Sequence, residues 1–253
     1  PCTAPPRHPA HADGVARGRD GLGHPGPLHR AGEHPPGLVR ELAVPRYSQN
    51  VHVGQYPEYD NGGEAWCSPP TSSQMIIEYW GRKPSAADLA WVEPGIQDPP
   101  QVCHAARYTY DNQYEGCGNW PFNAAYAATY RDMSSAVTRL GSLKDVETLV
   151  RAGIPPVITS QSFLKEELTG AGYGTSGHLM TVIGFTADGD VIANDPASPP
   201  DDDAVRHVYK RHEWETIWLR TKRYDANGNV KSGTGGGVCY VYWPSHPSPA
   251  QRR

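Results

Sequence analysis

Apolar positions recur with a helical period in the first half of the chain and with the spacing of strands in the second. In "EAWCSPPTSSQMIIEYWG", residues 64–81, Met75, Ile76, Tyr79 and Trp80 fall at i, i+1, i+4 and i+5. That is one face of a 3.6-residue period, and it predicts a short core-facing helix near 68–80 that Gly81 stops. Further helices are expected near 85–91, 121–130, 143–151 and 211–218. Strands are expected near 136–140, 155–160, 178–186, 190–194 and 238–243. Ser142 and Asp145 have capping-box spacing, with Asp in place of Glu, ahead of Leu143, Val146, Leu149 and Val150, and Gly153 closes that helix. "ADGD", 187–190, lies between two β-rich runs and reads as a tight hairpin turn. Helices first and strands after suit an α+β fold, a helical part packed on an antiparallel sheet. No internal repeat is visible.

The helix near 68–80 begins with Cys67, Ser68, Pro69 and Pro70. Prolines fit the first turn of a helix, where backbone donors have no intrahelical acceptor, so Cys67 falls near the N-cap. The positive end of the helix then lies against the sulfur. Such a field, joined by a nearby imidazolium, brings a thiol pKa from about 8.5 into the range of about 3.5 to 7.5. Position alone leaves four readings open for Cys67: a packed hydrophobe, half of a disulfide, a metal ligand or a nucleophile.

Composition narrows the function classes. With 253 residues, net charge −4 and 38% hydrophobic residues, the chain is large enough for one domain with a substantial core. There is no lysine or arginine run, which argues against nucleic acid or an anionic membrane as a partner. No apolar stretch approaches the roughly 20 residues that cross a bilayer. Residues 1–43 hold 8 of the 25 prolines, 7 of the 27 glycines and 5 of the 11 histidines but no Ile, Phe, Tyr, Trp or Met, a composition too poor in apolar surface to order itself. The expected organisation is a disordered or non-native tail over 1–41, one domain over 42–244 and a flexible tail over 245–253, acting as a monomer. Without a first Met or an apolar signal core, any export signal is expected to be missing from this chain.

Five cysteines stand at 2, 67, 103, 117 and 239. Cys103 and Cys117 bracket a Tyr- and Gly-rich segment, and a disulfide between them would stabilise it by about 3 kcal/mol and imply an oxidising compartment. Zinc is the rival, but neither C-x-x-C nor H-x-x-x-H spacing occurs. Cys239, in "VCYVYW", reads as core, and Cys67 has no evident partner. "DANGN", 225–229, starts like a calcium loop but lacks the glycine and glutamate that complete one, so a turn at Asn227-Gly228 is expected. "DDD", 201–203, reads as a solvated loop.

A thiolate nucleophile needs a base, and the base an orienting group. Among the histidines, only His178 begins a strand-like run after a glycine-rich segment, in "GAGYGTSGHLMTVIGF". The next strand, in "DVIANDPAS", ends at Asp195. Antiparallel pairing across the "ADGD" turn is expected to bring His178, nine residues before it, beside Asp195, five residues after it.

"WCSPPTSSQMIIEYWG", "GHLMTVIGF" and "NDPAS", in that order, resemble the papain-like cysteine peptidases related to bacteriocin-leader-processing peptidases, above all their stand-alone secreted actinobacterial members. The resemblance spans roughly 44–244. It implies a papain-like α+β fold, no cofactor or metal, a peptide or protein substrate, and an extracellular enzyme that hydrolyses peptide or isopeptide bonds. Acyl transfer, or a secreted binding module on the same fold, is the alternative. It further implies Cys67 as nucleophile, His178 as base and later acid, Asp195 as the group that fixes the imidazole, and Gln49 with the Cys67 N–H as oxyanion donors. Gln49 lies 18 residues before the cysteine, a longer gap than is usual in the family, and Gln55 and Asn61 are its rivals.

Overall fold

The computed structural model describes residues 40–96, 99–225, 227–233, 235–249 and 251–252. The expected tail thus lies outside the described residues, except at Arg40 and Glu41. These two form strand β1, paired antiparallel with Phe185 and Gly184. Arg40 and Glu41 are thus part of the sheet. At the other end Ser245 donates its N–H to Asp132 O (2.8 Å), so the expected flexible tail is pinned at its first residue.

In chain order the remaining elements are α1 (Gln74–Tyr79), α2 (Pro100–Thr109), α3 (Trp120–Ala128), β2 (Met133–Arg139), α4 (Leu143–Arg151), β3 (Val157–Phe163), β4 (Thr175–Phe185), β5 (Val191–Asn194), β6 (Arg206–Tyr209), α5 (Arg211–Leu219), β7 (Lys222–Tyr224), β8 (Val230–Gly233) and β9 (Val238–Pro244). One antiparallel sheet runs β2-β9-β3-β4-β5-β6, with β1 added against β4, and β7 and β8 form a separate hairpin. The α+β arrangement is the one expected.

Strand periodicity explains the layering. Ile158, Met180, Cys239 and Val241 join one apolar cluster with Leu143, Val146 and Val150 of α4 and Trp214, Ile217 and Trp218 of α5. Their neighbours Val157, Leu179, Tyr240 and Tyr242 join another with Ile76, Ile77 of α1, Ala105 of α2 and Tyr126, Ala127 of α3. Because successive side chains point to opposite faces, helices cover both sides of the sheet. Each fully buried residue of Leu or Ile size contributes about 1.5 to 3 kcal/mol relative to exposure. This double burial is why the strands read as continuous apolar runs.

Local signals were mostly obeyed. Ser142 Oγ accepts from Asp145 N, and Asp145 reaches back to the Ser142 N–H (3.0 Å), completing the capping box of α4. Asp190 O accepts from Thr186 N (2.9 Å), closing the hairpin between β4 and β5. Asn227 and Gly228 turn between β7 and β8, with Asp225 Oδ1 accepting from Asn227 N (2.9 Å). Residues 86–91 are a run of turns rather than a helix, and α2 was not anticipated at all.

Candidate active site

The chain reaches Cys67 through a constrained approach. Gly62 has φ +64, and a Cβ there would stand 1.8 Å from His52 O. Only glycine permits this backbone contact, which sets the short helical turn Gln49–His52 against the turn Gly63–Trp66 that leads into the cysteine. Trp66, fully buried, is held at both ends: its Nε1 donates to Tyr59 O (2.7 Å) and its carbonyl accepts from Thr71 Oγ1 (2.8 Å).

Cys67 opens a seven-residue π-helical segment, Cys67–Ser73, and regular α-helix begins only at Gln74. The prolines explain the widened turn. Neither Pro69 nor Pro70 has an N–H to donate, and a proline ring clashes with the carbonyl four residues back, so the tight ladder does not form where they stand. The helix start expected from sequence is present, but with a wider winding than expected. This segment packs on β4, the strand that carries His178.

His178 and Asp195 meet. Nε2 of His178 lies 2.8 Å from Asp195 Oδ1, and both residues are buried. The two are not directly opposed. Thr181 faces Asn194 across β4 and β5, so Asp195 follows on opposite Met180 and meets His178 on a diagonal, and the bulge between Val182 and Gly184 shifts the register one residue toward this contact. Directly across from His178, on β3, is Gln161, a buried side chain whose amide nitrogen and oxygen have no hydrogen-bond partner among the described residues.

The surroundings of Asp195 were not anticipated. Its Oδ1 also accepts from Ala197 N (3.0 Å), while Oδ2 accepts from the phenols of Tyr173 (2.8 Å) and Tyr209 (2.7 Å). Burial alone raises the carboxyl pKa, but the charge and hydrogen bond of His178 and the two phenols outweigh it and hold Asp195 at about 2. The carboxylate is ionised at neutral pH and can only accept. Nε2 of His178 must then carry a proton, which leaves Nδ1 as the basic nitrogen. Tyr173 sat in the quoted glycine-rich run, a signal available but unread. Tyr209 is one aromatic in the short polar strand "RHVY" and gave none.

Gln49 is stitched to the turn that follows Asp195. Its N–H donates to Pro196 O (2.9 Å), Ser48 Oγ to Ser198 O (3.0 Å) and Asn50 Nδ2 to the carbonyls of Ala197 (3.2 Å) and Ser198 (2.7 Å). Gln49 is buried, with Oε1 lacking a partner among the described residues. Asn194 Nδ2 in turn donates to Pro45 O (3.0 Å) and approaches Met75 Sδ of α1 (3.7 Å). The rivals stand elsewhere: Gln55 Oε1 is engaged by the His52 ring (2.7 Å), and Asn61 is an exposed turn residue.

The expected bridge between Cys103 and Cys117 is not formed, and both are free, buried thiols. Cys103 lies on α2 with its sulfur 3.7 Å from His52 Nδ1, while Cys117 Sγ faces the carbonyls of Ala106 (3.6 Å) and Tyr59 (3.7 Å). The segment between them is the second half of α2, to Thr109, followed by a turn that an Asp111–Gly116 bridge closes without a covalent link. The argument for an oxidising compartment that rested on this bridge goes with it. Burial pushes the thiols of Cys103 and Cys239 up to about 12 and that of Cys117 higher still. Among the described residues, no three His, Cys, Asp or Glu are grouped to hold a metal ion, and no helix is long and apolar enough to cross a membrane.

Comparison with known proteins gives one family. The model of the Peptidase_C39 like family matches residues 41–226. A solved structure from Bacillus anthracis, described as a C39-like peptidase, is similar at 16% identity with a TM-score of 0.49, covering 84% of this chain and 100% of that one. No curated protein matches.

Proposed function

Since the chain belongs to the Peptidase_C39 like family, we propose that it is a papain-like cysteine peptidase that hydrolyses peptide or isopeptide bonds with Cys67 as nucleophile. The observation that carries the reading is the buried His178–Asp195 pair on a strand against which the Cys67–Ser73 segment packs. Nδ1 of His178 is the nitrogen that receives the thiol proton. The Cys67 thiolate attacks the scissile carbonyl and forms the new C–S bond, and the oxyanion takes hydrogen bonds from the Gln49 amide and the Cys67 N–H. Such donors are worth about 2.7 to 4 kcal/mol each. The imidazolium then gives its proton to the leaving amine as the C–N bond breaks, leaving a thioester. His178 next takes a proton from water, which attacks the thioester and releases the acid and the free thiol.

The experiment is a peptide-library digest analysed by mass spectrometry. Cleavage by the wild-type protein that vanishes in both Cys67→Ala and His178→Ala supports the reading. Cleavage that survives either change excludes it, and products joined to added amines instead of water would reassign the reaction as acyl transfer.

A further inference from the structure

Asp195 has two oxygens and four acceptor positions, and each oxygen receives two donors: His178 Nε2 and Ala197 N on Oδ1, Tyr173 OH and Tyr209 OH on Oδ2. We infer that Tyr173 and Tyr209 are positioning residues for the reaction: they saturate Oδ2, keep Asp195 an anionic acceptor and so fix Nδ1 of His178 as the nitrogen that works on Cys67. The inference rests on the cysteine-peptidase reading and extends its working unit from three side chains to five.

The two phenols are built differently. Tyr209 lies on β6, fully buried, stacked on His207 (5.4 Å, 7°) and tilted against Trp214 (5.5 Å, 36°). His207 Nε2 is hydrogen-bonded to Ser198 Oγ (2.9 Å), which also donates to Asp195 O (2.8 Å), so the strand, the turn and the carboxylate form one assembly. Tyr173 lies outside any strand, between Gly172 with φ +79 and Gly174. Its hydroxyl holds Asp195 while its ring meets the imidazole of His178 edge-on (5.6 Å, 86°), so one side chain restrains both members of the pair.

The groups facing Asp195 are His178 from β4, Tyr209 from β6 and Tyr173 from the glycine-flanked segment, with His207 behind Tyr209. Among the described residues, His178 is the only basic side chain within ion-pair distance of the carboxylate. Burial and the charge of Asp195 raise both phenol pKa values, so both remain donors. Removing a phenol empties an acceptor position on Oδ2 and frees the carboxylate to turn, so Asp195 no longer holds Nε2 in one orientation and Nδ1 is no longer fixed toward the Cys67 segment.

The test uses Tyr173→Phe, Tyr209→Phe and the double variant, which keep the rings and remove only the hydroxyls. Iodoacetamide alkylation of Cys67 is followed from pH 4 to 10, after circular dichroism has shown the fold intact. The double variant is expected to react about ten-fold more slowly at pH 6, with half-reactivity moved toward the ordinary thiol value of about 8.5, and each single variant to fall between. A folded double variant with the wild-type profile overturns the inference and leaves the peptidase reading standing. A wild-type profile centred near 8.5 removes both. If Tyr209→Phe does not fold, Tyr173→Phe decides alone. The low-field proton resonance of His178 Nε2–H, expected to be lost to solvent exchange at lower pH in that variant than in the wild type, reports on the pair without reference to the cysteine.

Discussion

Replacing Asp195 by Asn removes a charge while keeping the shape, and the structure sets the size of the effect. The carboxyl moves from an ordinary 3.8 to about 2 in the folded protein. A drop of that size corresponds to about 2 to 3 kcal/mol of stability at neutral pH. A depressed folded value means that this contribution is fully present above pH 3.8 and is lost as pH falls through 2. About half should be gone by pH 3. Asp195→Asn should therefore be less stable than wild type by about 2 to 3 kcal/mol at pH 7 and by about half of that at pH 3, measured by urea denaturation. An amide oxygen can still accept from His178 and Ala197, and its NH2 can donate to phenols turned to accept. Asp195→Ala leaves those four donors without their acceptor and should cost about 2 kcal/mol more. Equal stability of wild type and Asp195→Asn at pH 7, or a gap that does not narrow toward pH 3, would refute this assignment of charge.

Two further outcomes follow from the packing. Asp190 accepts from Arg211 N (3.1 Å) at the start of α5 and from Lys210 Nζ (2.7 Å), so Asp190→Ala should lower stability by about 0.5 to 2 kcal/mol and leave Cys67 alkylation unchanged. Gly62→Ala drives a Cβ into His52 O, and both a loss of about 2 kcal/mol or more in the melt and slower Cys67 alkylation are expected, because the Gln49 and Cys67 segments meet there; a wild-type melt would show that the contact relaxes without cost.

Where the sequence was legible, local chemistry and tertiary packing agreed. Helix α4 has an apolar stripe, a capping box and a closing Gly153, and its bounds Leu143–Arg151 match the expected 143–151. The pairing of His178 with Asp195 could be reached from hairpin geometry, although the bulge that shifts the register toward it has no local signal. Helix α2 has little local signal because it starts at Pro99 and Pro100 and its buried face is made mostly of small or polar residues, Cys103, His104, Ala105, Ala106 and Thr109. Residues 85–91 carry helix formers and a Ser85–Asp88 cap, but they are too few to offset nucleation without an apolar face to bury. The hydrogen bonds of Tyr173 and Tyr209 to Asp195 span 22 and 14 residues, so no local pattern specifies them.

The central claim is that Cys67 is a nucleophile activated by His178. Brief iodoacetamide treatment of the native protein at pH 6, followed by peptide mapping, tests it most directly. Cys103, Cys117 and Cys239 are buried with raised thiol pKa values and should stay unmodified until the protein is denatured. The account predicts modification at Cys67 in the wild type and its loss in His178→Ala. An unmodified Cys67 at pH 6, or equal modification with and without His178, would contradict it.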